Sequence, residues 1–178
     1  PVLLKVWQTS PNGGNDPNPY NDTITKYVES ALCGTYTIGG NNPDFASFSA
    51  AASTLNSAGI TCPVTFLVRD GVYHEQFILR DIPGSSSTNT VTFRSESGDS
   101  TKAVIHIYEG ALKYEPMIYM ADAHDIRFEN LGFSTGSTVS FANTGADLHS
   151  SYRIDFQGCY FESVNQFDFS VAISDGSH

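Results

Sequence analysis

The chain carries one pattern twice, first as Ile126-Arg127-Phe128-Glu129-Asn130-Leu131-Gly132-Phe133 and then as Ile154-Asp155-Phe156-Gln157-Gly158-Cys159-Tyr160-Phe161. Apolar residues occupy four matching positions, and every matched pair has the same offset in the numbering (154 − 126 = 161 − 133). Repetition at a period of about 20–50 residues is typical of stacked repeat proteins, in which a unit buries its apolar face only against its neighbours. The motif therefore predicts a solenoid of similar coils.

Within each copy the apolar residues alternate and then change phase at Asn130 or Gly158, residue types that tolerate a left-handed bend between two strands. One coil of a right-handed parallel β-helix has this strand, bend and strand. Stacked coils lie about 4.8 Å apart in the hydrogen-bonding direction. In-register stacking predicts five pairs: Ile126 with Ile154, Phe128 with Phe156, Leu131 with Cys159, Phe133 with Phe161, and, on the outer face, Arg127 with Asp155.

A further strand is expected before each copy of the motif. Ile118-Tyr119-Met120 precedes the first copy and is matched with Val139-Ser140-Phe141, at a shorter offset (139 − 118) than that of the motif itself (154 − 126). The difference predicts about seven extra residues in the second copy, which we assign to 143–152. A third copy is expected to begin at Val171.

The segment before the motif predicts earlier coils and a helix. Val64-Thr65-Phe66 recurs as Val91-Thr92-Phe93, at nearly the offset of the motif (91 − 64). Asp44 is the expected N-cap of a helix that Gly59 ends. The apolar stripe at helical spacing comprises Phe45, Phe48, Ala52, Leu55 and Ala58. We expect the helix to cover the open end of the first coil and protect its strand edge; a groove-binding helix is the alternative.

Composition narrows the class of partner. The 178 residues carry a net charge of −10, with nine scattered basic residues, which argues against binding to nucleic acid or to an anionic membrane. No apolar run reaches the roughly 18–20 residues of a membrane span, so direct membrane insertion is not expected. The chain begins and ends in mid-pattern, and we therefore expect it to be part of a longer chain.

Residues 1–30 are expected to be a separate unit from residues 31–178. Two alternating strands, Val2–Trp7 and Thr23–Val28, flank a turn-rich tract at 10–19. The pair looks like the last hairpin of an immunoglobulin-like β-sandwich and resembles the end of CARDB-type extracellular domains. The Asn and Asp side chains between the strands form either a solvated turn or a calcium site, although they lack a spaced calcium-binding loop.

From Gly34 the sequence closely resembles the start of pectin-lyase-like β-helix regions in large secreted surface proteins of Bacteroidota. The runs that carry the resemblance are Gly34–Gly40, Pro43–Phe48, Pro63–Phe66, Asp70–Gln76 and Phe93–Asp99. Many such proteins resemble adhesins and are exported by the type IX system. The resemblance implies a right-handed parallel β-helix, an extracellular or cell-surface location, and a structural or adhesive role that includes binding to carbohydrate or to a host or cell-surface protein.

Pectin methylesterases show a weaker similarity. Gly71-Val72-Tyr73-His74-Glu75 satisfies their G-x-Y-x-E motif, and Phe156–Asp168 faintly echoes their segment with a glutamine and a first catalytic aspartate. Two residues are inserted, and Phe167 separates Gln166 from Asp168. A carbohydrate-active enzyme, an esterase or a lyase, therefore remains the alternative, with no catalytic residue assigned and with catalytic coils partly beyond residue 178.

The cysteines suit an exported protein. Cys33 and Cys62 precede successive strands, and a disulfide between them would clamp the intervening helix. Cys159 matches Leu131 and is expected to be buried. No metal-ligand spacing is present, and no cofactor is expected. Thr23 and Ser100 lie in Asp-Thr/Ser contexts that resemble the O-glycosylation signal of Bacteroidota.

One polar cluster is a candidate glycan-facing surface. Its members lie on two successive coils: Asp122, His124, Asp125 and Arg127 on one, and Asp147, His149, Arg153 and Asp155 on the next. Asp125, Arg127, Arg153 and Asp155 are the residues we expect to face a glycan. Paired carboxylates there would also suit acid–base chemistry. The structural alternative is an outward charge ladder worth about 0–1 kcal/mol.

Overall fold

The computed structural model describes residues 2–7, 23–28, 30–107, 116–135, 146–163 and 171–174. Two compact units are present, Pro1–Ser30 and Ala31–His178. In the first, β1 (Val2–Trp7) pairs antiparallel with β2 (Thr23–Val28). The predicted hairpin is therefore confirmed, whereas the turn-rich tract and its proposed calcium site lie outside the described residues.

The second unit is a parallel β-helix, as the repeated motif predicts. Its elements are β3 (Leu32–Ile38), α1 (Phe48–Ala58), β4 (Ile60–Val68), β5 (Gly71–Tyr73), β6 (Phe77–Leu79), β7 (Val91–Ser95), β8 (Ala103–Ile107), β9 (Ile118–Ala121), β10 (His124–Glu129), β11 (Gly132–Thr135), β12 (Ala146–His149), β13 (Tyr152–Gln157), β14 (Tyr160–Ser163) and β15 (Val171–Ser174).

Three parallel sheets form the walls of the β-helix. The first sheet has the order β3-β4-β7-β10-β13, the second β5-β8-β11-β14 and the third β6-β9-β12-β15. Each of four turns contributes one strand to every sheet, and β3 adds an extra strand at the start of the first. Side chains that point inward from the three sheets form one apolar core.

A column of stacked phenylalanines runs through this core. Phe66, Phe93, Phe128 and Phe156 lie on successive strands of the first sheet, with ring centroids 4.9, 5.4 and 4.9 Å apart and interplanar angles of 15°, 8° and 14°. Phe133 and Phe161 stack in the same way on the second sheet. Phe66, Phe93 and Phe128 are fully buried, so the column contributes hydrophobic burial as well as ring contacts.

The strand register confirms most of the predicted pairs. Ile126 pairs with Ile154, Phe128 with Phe156, and Arg127 with Asp155. Phe133 pairs with Phe161. The earlier coils also match, since Val64–Phe66 pairs with Val91–Phe93.

The predicted insertion in the second copy is wrong. Ile118 pairs with Ala146 and Met120 with Leu148, so this strand repeats at the same offset as the motif (146 − 118 = 154 − 126). Val139–Phe141, the match taken from the sequence, lies outside the described residues. The apolar pattern of Ala146-Asp147-Leu148 is weaker because alanine is small, and this explains the wrong match. Val171 begins the corresponding strand of the next turn, as predicted.

The helix begins later than predicted, because Ser47 rather than Asp44 is its N-cap. The Ser47 hydroxyl accepts a hydrogen bond from Ala50 N. Asp44 instead accepts hydrogen bonds from the Thr37 amide and hydroxyl, both at 2.8 Å, and ties the loop to β3. The helix ends at Gly59, whose φ of 70° is the left-handed geometry that favours glycine.

Side chains on and near α1 form hydrogen bonds between the helix and the strand edge of the first turn. Asn56 donates to Ile78 O at 2.9 Å and accepts from Arg80 N at 2.9 Å, so its amide bonds to β6 as a neighbouring strand would. Glu75 accepts hydrogen bonds from Phe48 N and Ser49 N at the start of the helix. The helix therefore caps the stack, as the sequence predicts.

Left-handed residues, at bends and within strands, repeat with the same period as the core. Left-handed backbone conformations occur at three pairs of equivalent positions on the third and fourth turns: Asp122 and Ser150, Asp125 and Arg153, and Asn130 and Gly158. A Cβ at position 158 would overlap Asn130 Oδ1. The phase change at Asn130 and Gly158 is thus the predicted left-handed bend.

Cys33 and Cys62 form a disulfide with Cα atoms 4.9 Å apart, as predicted. It joins β3 to β4 across the sequence that contains α1, a separation of 29 residues. The Cys33→Ser/Cys62→Ser variant should lose about 3–4 kcal/mol of unfolding free energy, because the unfolded chain regains the entropy of an open loop. Urea denaturation of wild type with a reductant should reproduce this loss. An unchanged midpoint would contradict it.

The phenylalanine column predicts a gradient of sensitivity along the stack. Phe93→Ala should lower the free energy of unfolding by about 3–5 kcal/mol, because it opens a cavity between two stacked rings. Phe161→Ala should cost less, because that side chain is 38% exposed. Urea unfolding of the two variants tests the difference, and equal losses would show that the stacked column does not dominate the core.

Candidate functional site

A left-handed kink changes the position of the predicted glycan-facing cluster. Asp125 and Arg153 have φ values of 59° and 53° at equivalent points of β10 and β13. The kink interrupts the alternation of the strand, so Asp125 and Ile126 are both buried although they are consecutive. The carboxylate of Asp125 therefore lies beneath the surface, with little area for a ligand.

Asp125 and Arg153 form a bidentate ion pair. Arg153 Nε donates to Asp125 Oδ1 and Nη2 donates to Oδ2, both at 2.6 Å. The Asp125 side chain is 3% exposed, whereas that of Arg153 is 53% exposed. Hydrogen bonds from Arg153 hold the pKa of Asp125 below its usual value, with a further contribution from His124, despite the opposing effect of burial. The two residues satisfy each other's hydrogen-bonding groups, and the pair cross-links the third and fourth turns.

Aromatic contacts extend this cluster along the first sheet. His124 stacks on Tyr152 with ring centroids 4.9 Å apart, and the Arg153 guanidinium carbon lies 4.6 Å from the centre of the same ring. His124 Nδ1 is 2.7 Å from Asp125 Oδ2, and both ring nitrogens are 3.3 Å from Ser85 Oγ. These contacts hold two turns and a loop together, so we assign them a structural role.

The remaining members of the predicted cluster are dispersed. Arg127 and Asp155 are exposed register partners on the flat outer face of the first sheet. No ion pair joins these two described residues. Asp147 and His149 belong to β12 in the third sheet. The four predicted glycan-facing residues therefore form one ion pair with a buried carboxylate and an exposed guanidinium, and one exposed pair, without a shared cavity among the described residues.

A groove of about 600 Å³ lies instead on the outer face of the second sheet. Its lining residues come from all four turns: Val72, His74, Thr101, Val104, His106, Ser134, Tyr160 and Glu162. Two outward columns form it. One contains Val72, Val104, Gly132 and Tyr160 as successive register partners, and the other contains His106, Ser134 and Glu162.

The second column carries the polar chemistry of the groove. Ser134 Oγ donates to Glu162 Oε2 at 3.3 Å, and His106 is the register partner of Ser134 on the other side. The rings of His74 and His106 meet edge to face at 5.3 Å. Burial, followed by the proximity of His74, lowers the pKa of His106, so its imidazole is neutral at neutral pH.

Tyr160 supplies an aromatic surface beside this polar column. Its side chain is 43% exposed, and it belongs to the same column as the two valines. The loop before β8 closes one side of the groove, where the Ser100 carbonyl packs so closely on Gly132 that a Cβ at position 132 would overlap it. The groove thus combines an apolar strip and a polar strip, a common composition for small-molecule sites.

The sequence analysis missed this groove, although the spacing of its lining residues indicates it. His106, Ser134 and Glu162 recur at equal offsets in the numbering (134 − 106 = 162 − 134), and so do Val104, Gly132 and Tyr160. The core motif has the same period. Outward positions at that spacing were identifiable as two columns, but their mixed polarity does not form an obvious motif.

The residues of the predicted G-x-Y-x-E motif make structural contacts in this chain. Tyr73 hydroxyl lies 2.7 Å from Arg69 O and 3.2 Å from Ile38 O, with its ring against Phe48. Glu75 bonds the start of α1, as described above. Gln166 and Asp168, from the second segment of that similarity, lie outside the described residues.

The remaining predicted positions are the free cysteine and the two glycosylation candidates. Cys159 is half-buried against the core, and its thiol donates to Phe128 O at 3.3 Å. Thr23 is exposed on β2 and Ser100 is half-buried, and their glycosylation stays a prediction. Three or more His, Cys, Asp or Glu side chains do not assemble into a metal-binding group within the described ranges. In those same ranges, no helix is long and apolar enough to cross a bilayer.

Comparisons with protein-family models, curated proteins and solved structures found no match to the chain. The resemblance to secreted pectin-lyase-like regions therefore stays a prediction.

The ion pair of the buried Asp125 carboxylate predicts different effects of substitution at positions 125 and 127. Asp125→Asn keeps the left-handed conformation but removes the charge, and it should lower the unfolding free energy by about 1–2 kcal/mol at neutral pH. Arg127→Ala should have almost no effect, because that side chain is exposed and makes no ion pair with the part of the chain that the structure describes. Chemical denaturation measures both variants, and equal losses would refute a structural role for the pair.

Acid should reduce the effect of Asp125→Asn. A carboxyl whose pKa is lowered by folding contributes stability above its unfolded value of about 3.9 and loses it as the pH falls through the folded pKa. Wild type and variant should therefore approach each other in stability below about pH 4. A difference that persists undiminished in acid would point to packing rather than charge.

Proposed function

We propose that this chain is a rigid structural and adhesive segment of a large secreted or cell-surface bacterial protein and that it binds glycans in the groove of the second sheet. The observation that carries the proposal is the groove itself, in which an exposed tyrosine lies beside a column of histidine, serine and glutamate side chains. Aromatic faces suit the apolar faces of sugar rings, and the polar side chains offer hydrogen bonds to hydroxyl groups.

Rigidity supports the structural part of this proposal. The core is continuous through four turns, the first turn is capped, and a disulfide joins β3 to β4. Disulfides persist in oxidising environments, which supports an extracellular location. In this proposal the β-helix is right-handed and pectin-lyase-like, and the hairpin β1-β2 is the end of an immunoglobulin-like domain.

Binding has more support than catalysis in the described residues. Glycoside hydrolysis uses two carboxyl groups on either side of the scissile bond, whereas Glu162 is the one carboxylate among the described residues that line the groove. Asp125 is enclosed by its own ion pair. No specific observation favours the esterase or lyase, and we retain the binding function.

A glycan array tests the proposal with two matched tyrosine variants of the chain. Tyr160→Ala removes the aromatic surface of the groove and should abolish or strongly weaken the glycan signal. Tyr152→Ala removes a similarly exposed tyrosine on the first sheet and should retain that signal. Circular dichroism checks that both variants are folded. A signal lost only in Tyr152→Ala would place the site on the first sheet, and the lack of any signal from folded wild type would refute glycan binding.

A further inference from the structure

We propose that the groove selects uncharged oligosaccharides, bound along the axis of the β-helix, and that Glu162 excludes chains of uronic acids. This inference rests on the proposed glycan-binding function and assigns the chemical class of its ligand.

The direction of the ligand follows from the direction of the groove. Both columns cross the strands, so each step along the groove passes from one turn to the next. Four strands are separated by three steps of about 4.8 Å, which gives a length of about 14 Å. A single sugar ring cannot span this distance, whereas a short oligosaccharide lying parallel to the axis contacts every turn from Val72 to Tyr160.

Charge determines the class of sugar. The lining residues contribute the Glu162 carboxylate and, in the described part of the chain, no lysine or arginine. Burial and, to a smaller extent, His74 lower the pKa of His106 against the raising effect of Glu162, so this imidazole is neutral at neutral pH. A uronic acid chain carries a carboxylate on each sugar, and these groups would lose water beside Glu162 without a cation to pair with. Sugars that carry only hydroxyl groups avoid this cost.

Neutral sugars match the hydrogen-bonding groups in the polar column. A neutral imidazole has one donor and one acceptor and a carboxylate accepts, whereas Ser134 is 6% exposed and gives its hydroxyl hydrogen to Glu162. The hydrogen bond from Ser134 orients Glu162 over the groove and leaves its second oxygen, Oε1, as an acceptor for a sugar hydroxyl. Glu162 therefore has two effects, since it binds hydroxyl groups and repels carboxylates.

Isothermal titration at about pH 7.5, a unit above the usual pKa of histidine, separates the two effects. The probes are neutral hexasaccharides of glucose, galactose, mannose and N-acetylglucosamine, with hexagalacturonate and hexaguluronate as the charged set. Wild type should bind at least one neutral probe and neither charged probe. The neutral probe should bind about tenfold more weakly to Tyr160→Ala, the scale of a lost aromatic contact.

Glu162→Gln tests the selectivity, with Asp155→Asn as its control. Both substitutions remove one negative charge from the same turn, but Asp155 is on the outer face of the first sheet. Glu162→Gln should gain measurable binding to the uronate probes, and Asp155→Asn should not. A gain in both variants would mean that net charge, rather than Glu162, excludes uronates, and would overturn the assignment.

The remaining outcomes separate this inference from the proposed function. Uronate binding by wild type that is lost in Tyr160→Ala would overturn the neutral ligand class and leave glycan binding in place. Binding of the neutral hexasaccharide no tighter than of its monosaccharide would overturn the axial arrangement. Failure of folded wild type to bind any probe would overturn the proposed function and this inference with it.

Discussion

In-register stacking of side chains in the core determines which residues form the outward columns of each sheet. Once Phe93 lies on Phe66 and Phe128 lies on Phe93, the alternation of the strands fixes which residues face solvent on each turn. A slip of one residue would reverse the two faces and bury the polar side chains, a cost that strongly disfavours any other register. On the second sheet the stack of Phe133 on Phe161 keeps the same register, so the columns of the groove are a consequence of core packing.

Left-handed residues recur at matching positions of successive turns, and one of them requires support. Asparagine, aspartate and glycine adopt left-handed conformations readily, but arginine does so at a cost of about 1–2 kcal/mol. Arg153 has this conformation, and its two hydrogen bonds to Asp125 supply a stabilisation of similar size. The ion pair thus compensates for local strain. This explains why the Asp125 carboxylate, from the predicted glycan-facing set, is directed into the protein rather than toward a ligand.

The sequence predicted the repeats with a strong apolar pattern and the Cys33–Cys62 disulfide, and it missed features that depend on a weaker pattern or on local backbone geometry. The core register followed from apolar residues at a constant offset, and the left-handed bend followed from Asn130 and Gly158. The start of α1 was missed because Asp44 and Ser47 are both good N-caps, and the choice depends on contacts with Thr37 and Glu75. The burial of Asp125 was missed because strict alternation places it outside, and only the kink in the backbone reverses that assignment.

Because the groove is built of columns that cross the turns, its length is set by the number of repeats that the gene encodes. Each of the last three turns supplies one residue to each column, because the strands of the second sheet stack in register. Duplication of one repeat unit would lengthen the groove by about 4.8 Å, and deletion would shorten it equally. Recombination between repeats could therefore change the size of ligand in whole increments, while the chemistry of each increment would evolve separately through point substitutions at two outward positions.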